Sequence, residues 1–147
     1  MFKNTCRAVI IALLLASYAV VGLPSSAGAL TEKWVHWARN GKPTIDALVN
    51  QYDRIDAAVK ASNVAAAKAA FIVFSNDCVA LAVIADSPSK TLNQTMILTA
   101  KSANQFAWDG YIYLISQTTA NLNVFSTAAT TAGNYMSLLT TEMKSEL

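Results

Sequence analysis

The chain has 147 residues, 54% of them hydrophobic and only 14% charged, against about 25% charged in ordinary soluble domains. That length supports one domain, since chains divide into several cores only beyond roughly 250 residues. The apolar content excludes intrinsic disorder, eleven Lys and Arg against nine Asp and Glu argue against a nucleic-acid surface, and two cysteines cannot build a disulfide framework.

Residues 1–29 read as a secretory leader. Lys3 and Arg7 form a basic start, Ala8 to Leu23 an apolar stretch, and Pro24-Ser25-Ser26 a helix break before the small-residue site Ala27-Gly28-Ala29. The apolar stretch is shorter than the ~20 residues of a membrane span, which favours cleavage near Ala29 over an uncleaved anchor. The expected product is one domain, residues 30–147, secreted or held at the cell envelope. Without Lys3 and Arg7 its basic and acidic residues balance, so the positive charge of the full chain belongs to the leader. Cys6 leaves too, and Cys78 becomes the only thiol.

A short helix is expected from Thr31 to Asn40, ending at Asn40-Gly41-Lys42-Pro43. Four longer segments follow, separated by Ser62-Asn63, by Asp86-Ser87-Pro88-Ser89 and by Gln117-Thr118-Thr119. Each carries apolar or small residues at alternating steps of three and four, the seam of a packed helix. The first seam is Ile45, Leu48, Tyr52, Ile55 and Val59. The second is Val64, Ala67, Phe71, Phe74, Cys78, Leu81 and Ala85, with Asn63 placed to cap it. The third runs through Leu92, Met96, Thr99, Ala103, Phe106 and Gly110, and then Tyr113 or Leu114; the fourth through Leu122, Phe125, Ala129, Ala132, Met136, Leu139 and Met143. Short connections make neighbours antiparallel. The expected fold is therefore all-α: an up-down-up-down antiparallel four-helix bundle preceded by a short N-terminal helix.

Folding the segments about their turns gives a register. One layer is Tyr52, Phe74, Ala103 and Ala132; the next is Ile55, Phe71, Phe106 and Ala129. Bulky residues then face small ones, which fits either a filled core or an apolar cavity lined by Tyr52, Phe71, Phe74, Phe106 and Phe125.

Catalytic chemistry is hard to find. Glu32, Glu142 and Glu146 lie at the ends of the exported chain, and no Glu-x-x-His repeat supplies a di-metal site. His36 is the sole histidine and has no second ligand nearby. Asp53 and Asp56 flank the seam residue Ile55 and are expected to point outward, with Asp56 four residues before Lys60 for a helical ion pair. No phosphate loop or nucleophile elbow occurs. No enzyme activity, metal or cofactor is expected. Cys78 sits on a core seam, which favours a buried thiol over an intermolecular disulfide.

A surplus of apolar residues lies off the seams: Ile72, Val73, Val79, Val83 and Ile84 on the second helix, and Ile97, Trp108, Tyr111 and Ile115 on the third. Trp34 and Trp37 share one face of the leading helix. Either that helix lays its tryptophans over the surplus, or Trp34, Trp37, Val83, Trp108, Tyr111 and Ile115 form a surface for a second copy, a partner or an apolar ligand.

Several stretches bear on family. These are Trp37, Ile45-Asp46-Ala47-Leu48, Ile55-Asp56-Ala57-Ala58, Asn63-Val64-Ala65-Ala66-Ala67 and Leu138-Leu139-Thr140-Thr141-Glu142-Met143. With the leader, this layout resembles small secreted helical-bundle proteins of mycobacteria and related actinobacteria, a family without an assigned activity. Members often pair a Cys on helix two with one on helix three. The matching positions here are Phe71 and the neighbourhood of Ala107, so that disulfide is missing. A more distant likeness, to secreted fungal bundles that bind fatty acids, would imply a cavity. Two functions follow as expectations: an interaction module engaging an envelope or host protein through helices two and three, or a carrier of a small apolar ligand.

Overall fold

Capping chemistry ends each helix where the apolar spacing resets. The computed structural model describes residues 32–146, and these form α1 (Glu32–Lys60), α2 (Val64–Val83), α3 (Lys90–Ile115) and α4 (Thr119–Glu146). The expected leader and cleavage site, with Cys6, lie outside the described residues, as does the side chain of Trp34.

At the first turn Ser62 takes a left-handed φ of 55°. That bend lets the Ser62 N–H reach the Val59 carbonyl at 3.0 Å and the Asn63 N–H reach Ala58 at 2.8 Å, the paired bonds of a Schellman ending. Asn63 then starts α2: its Oδ1 accepts from the Ala66 N–H at 3.0 Å, a cap worth about 1 kcal/mol. Ser89 caps α3 through the Leu92 N–H at 3.2 Å. Asn93 clamps the same turn by accepting from the Ser87 N–H at 2.7 Å and donating to its carbonyl at 2.9 Å. Thr118 opens α4, accepting from the Asn121 N–H at 3.1 Å.

One expected break is missing. The leading helix is not separate: α1 runs from Glu32 through Pro43 to Lys60. Pro43 has no N–H for the Arg39 carbonyl, but both residues are exposed, so water can serve that carbonyl. Tertiary packing holds the rest. Trp37 is buried and donates its Nε1–H to the Ile84 carbonyl at 3.0 Å, and Gly41 lies against Trp37 and Ile84. The first turns of α1 are thereby pinned over the end of α2.

All three hairpins are antiparallel. Trp37 meets Ile84 while Tyr52 meets Phe74; Ser75 donates to Asn104 while Phe71 meets Phe106; the Thr99 hydroxyl donates to the Tyr135 carbonyl while Phe106 meets Phe125. The eight residues of the two anticipated layers are all buried. Among the described residues α1 and α4 make no close backbone approach. Rings span the diagonals: Tyr52 of α1 stacks on Phe106 of α3 at 5.9 Å, and Phe71 of α2 meets Phe125 of α4 edge-on at 6.1 Å.

The Ser/Thr-rich stretch of α4 stays helical because its hydroxyls bond back to the helix. Thr127, Thr130 and Thr131 each donate to the carbonyl four residues earlier, at 2.9–3.0 Å.

Candidate functional site

Most helices of a small bundle have one apolar stripe; α2 has two. The inner stripe, from Ala67 through Phe71, Phe74 and Cys78 to Leu81, is packed in the core. On the opposite side Ala65, Ala69, Ile72, Asn76, Val79 and Val83 recur at steps of four and three, all exposed and none charged. A helix apolar on all sides ordinarily lies inside a larger assembly or a membrane. By length and composition alone, Val64–Val83 could span a bilayer, though its inner stripe is already occupied by the core.

The seam between α2 and α3 extends this surface. The Ser75 hydroxyl donates to the Asn104 Oδ1 and fixes the register between the two helices. In that register Trp108 comes level with Phe71 and Ile72, Tyr111 with Lys68, and Ile115 with Val64. Trp108 and Tyr111 pack edge to face, with ring centroids 6.0 Å apart. Ile72 is 44% exposed, Trp108 47% and Ile115 59%. Together with Val64 and Ile112 these residues form one apolar cluster at the Ile115 end of α3.

Val83 does not belong to it. Although 75% exposed, Val83 lies level with the start of α3, roughly 20 Å along the axis from Trp108 at 1.5 Å per residue. Its neighbours on the surface are Val79 and Ile97. Trp37 is not a surface contact either, because it is buried in the core and bonded to Ile84. Trp37 thus covers one end of α2 and leaves the outer stripe of that helix bare.

The five residues considered as a cavity lining meet ring on ring. Tyr52, Phe71, Phe74, Phe106 and Phe125 are all buried, with centroids 5.3–6.1 Å apart in six pairs. Tyr113 adds a seventh contact by stacking on Phe125 at 6.0 Å. Here the core is filled.

Titratable groups are scattered. Among the described residues no three His, Cys, Asp or Glu converge as metal ligands. His36 pairs with Asn40 on the surface at 3.1 Å. Asp53 points outward as expected, but Asp56 is buried and ion-paired with Lys60. The sequence also gave no hint of a carboxylate buried beside a groove: Asp109, 8% exposed between α3 and α4. Only the α3–α4 register reveals it.

No known family, curated protein or solved structure matches this chain.

Cys78 is free and buried against the inner face of α2. Burial, reinforced by the neighbouring Asp77 carboxylate, pushes its thiol from 9.0 up to about 12. Raised in the fold, this pKa favours the folded state fully below pH 9, and the advantage falls as pH climbs toward 12. The stability lead of the native chain over Cys78→Ala should therefore shrink above pH 9, by on the order of 1 kcal/mol per pH unit. Denaturant titrations of both proteins between pH 7 and 11 measure it; parallel pH profiles would refute the burial argument.

Proposed function

We propose that this chain is an exported, non-enzymatic helical protein that engages a protein partner of the envelope or a host through the apolar cluster at Trp108. What carries the reading is that Trp108 and Ile115 stay about half exposed, level with Ile72 and Val64 respectively, while the rings behind them are packed together. The half of Trp108 left in water adds nothing to the bundle's own folding, and contiguous exposed apolar residues mark interaction sites. Aromatic anchors of this type supply much of the energy at protein interfaces. The basic, apolar and small-residue sections of Met1–Ala29 support export, and the resemblance to small secreted helical proteins points the same way. The packed ring cluster gives the carrier reading no support.

The test places a photo-reactive phenylalanine analogue at Trp108, at Ile115 or, as control, at Ser137 on the outer side of α4. Irradiation in the native host should give one discrete adduct from the first two positions and none from Ser137. An adduct of twice the chain mass would assign the surface to a homodimer. The proposal falls if all three positions behave alike.

A further inference from the structure

Between α3 and α4, on a different side of the molecule, a groove of about 420 Å³ is lined by Ser102, Gln105 and Asp109 of α3 and by Asn123, Val124, Thr127, Ala128 and Thr131 of α4. Asp109 forms part of its wall with only 8% of its surface exposed. Both of its carboxylate oxygens accept from one donor, Gln105 Nε2, at 2.9 Å. That donor is a neutral amide. The only cationic residues on the two helices are Lys90, Lys101 and Lys144, and none lines the groove. A carboxylate so far out of water is ordinarily paired with a cation or at least several donors. Asp109 therefore has a single neutral donor and acceptor capacity to spare, on the wall of the groove.

The other walls limit what could balance it. Thr127 and Thr131 spend their hydroxyl protons on the α4 backbone, so those oxygens can serve a ligand only as acceptors. Val124 and Ala128 add further aliphatic surface. Metal binding is poorly served, because a hard cation needs about six oxygen ligands with several carboxylates, and Asp109 is the only one lining the groove. An ammonium group on a short alkyl chain fits both features. Its N–H donors would meet Asp109, and its methylenes would lie on Val124 and Ala128. The volume falls within the range of small-molecule sites.

We propose that this groove is a binding site for a small aliphatic amine, with Asp109 as its counter-ion. Occupancy is independent of the Trp108 cluster, which faces away from α4.

The test titrates the full exported chain with putrescine and with n-butylammonium, using n-butanol as the neutral isostere, and follows backbone amide shifts by NMR. Both amines should give saturable shifts centred on Asp109, Thr127 and Ala128, weakened by added salt; butanol should give none. Asp109→Asn keeps the shape and the Gln105 contact, and should weaken amine binding at least tenfold. Should that variant fail to fold, Ala128→Leu, which fills the groove from a different side chain, should abolish the shifts. Shifts that do not saturate, equal binding of butanol, or unchanged affinity in both variants would overturn the proposal. A capped lysine tripeptide binding tenfold more tightly than putrescine would overturn the small-amine assignment in favour of a partner's lysine.

Discussion

Replacing Phe106 by Ala is expected to remove about 3–5 kcal/mol of stability, the range for a buried aromatic truncated to a methyl. Phe106 touches rings from every other helix. It stacks on Tyr52 of α1 at 5.9 Å and on Phe125 of α4 at 5.3 Å, and it meets Phe71 and Phe74 of α2 edge-on at 5.6 and 6.0 Å. Pairs in such geometries contribute roughly 0.5–1.5 kcal/mol beyond their buried area. The location amplifies the loss, because α1 and α4 make no close backbone approach and Phe106 is the ring that touches both. With total stabilities near 5–15 kcal/mol, the variant would sit at the margin of folding. Urea titration monitored by far-UV circular dichroism gives the number. A loss under about 1 kcal/mol would mean that neighbours collapse into the space, and the view of Phe106 as the shared ring would be wrong.

The ring cluster was largely legible in the sequence, since helical spacing alone put Tyr52, Phe71, Phe74, Phe106 and Phe125 on inner seams. Folding about Ser62 and Pro88 also paired the right layers, because short antiparallel turns leave little freedom of register. What spacing could not decide was whether those rings enclose a space or fill it; that depends on rotamers and helix separation. The Gly41-Lys42-Pro43 break failed for a different reason. Local punctuation describes an isolated chain, whereas Trp37 anchors α1 to the Ile84 carbonyl across 47 residues and carries the helix through. Grouping Val83 with Trp108 was avoidable. The fold about Pro88 that sets Phe74 against Ala103 already moves Val83 to the far end of α3. Asp109 lay beyond sequence reasoning, because its burial arises where α4 packs beside it.

The second large effect is a reversal of sign between two glycines. Exchanging Gly for Ala inside a helix ordinarily stabilises by up to about 1 kcal/mol, since glycine loses more backbone freedom on folding. Gly133 of α4 should follow that rule, because an added Cβ there meets nothing within 4 Å. Gly110 of α3 should do the opposite. A Cβ at Gly110 would stand 2.5 Å from Phe71 Cζ, 2.7 Å from Phe71 Cε1 and 2.8 Å from Phe125 Cε2, far inside contact distance. Neither ring can step aside freely: Phe71 is held edge-on by Phe106 at 5.6 Å, and Phe125 lies stacked between Phe106 at 5.3 Å and Tyr113 at 6.0 Å. Relief must come from moving α3 away from α2 and α4, the kind of overpacking that costs about 1–3 kcal/mol. Gly110→Ala should therefore melt earlier than the native chain, and Gly133→Ala later. The double variant should show the sum of the two effects within about 0.5 kcal/mol, because the sites share no partner. If Gly110→Ala proved as stabilising as Gly133→Ala, the rings would be mobile rather than locked. The filled core, and with it the case against a carrier, would then have to be abandoned.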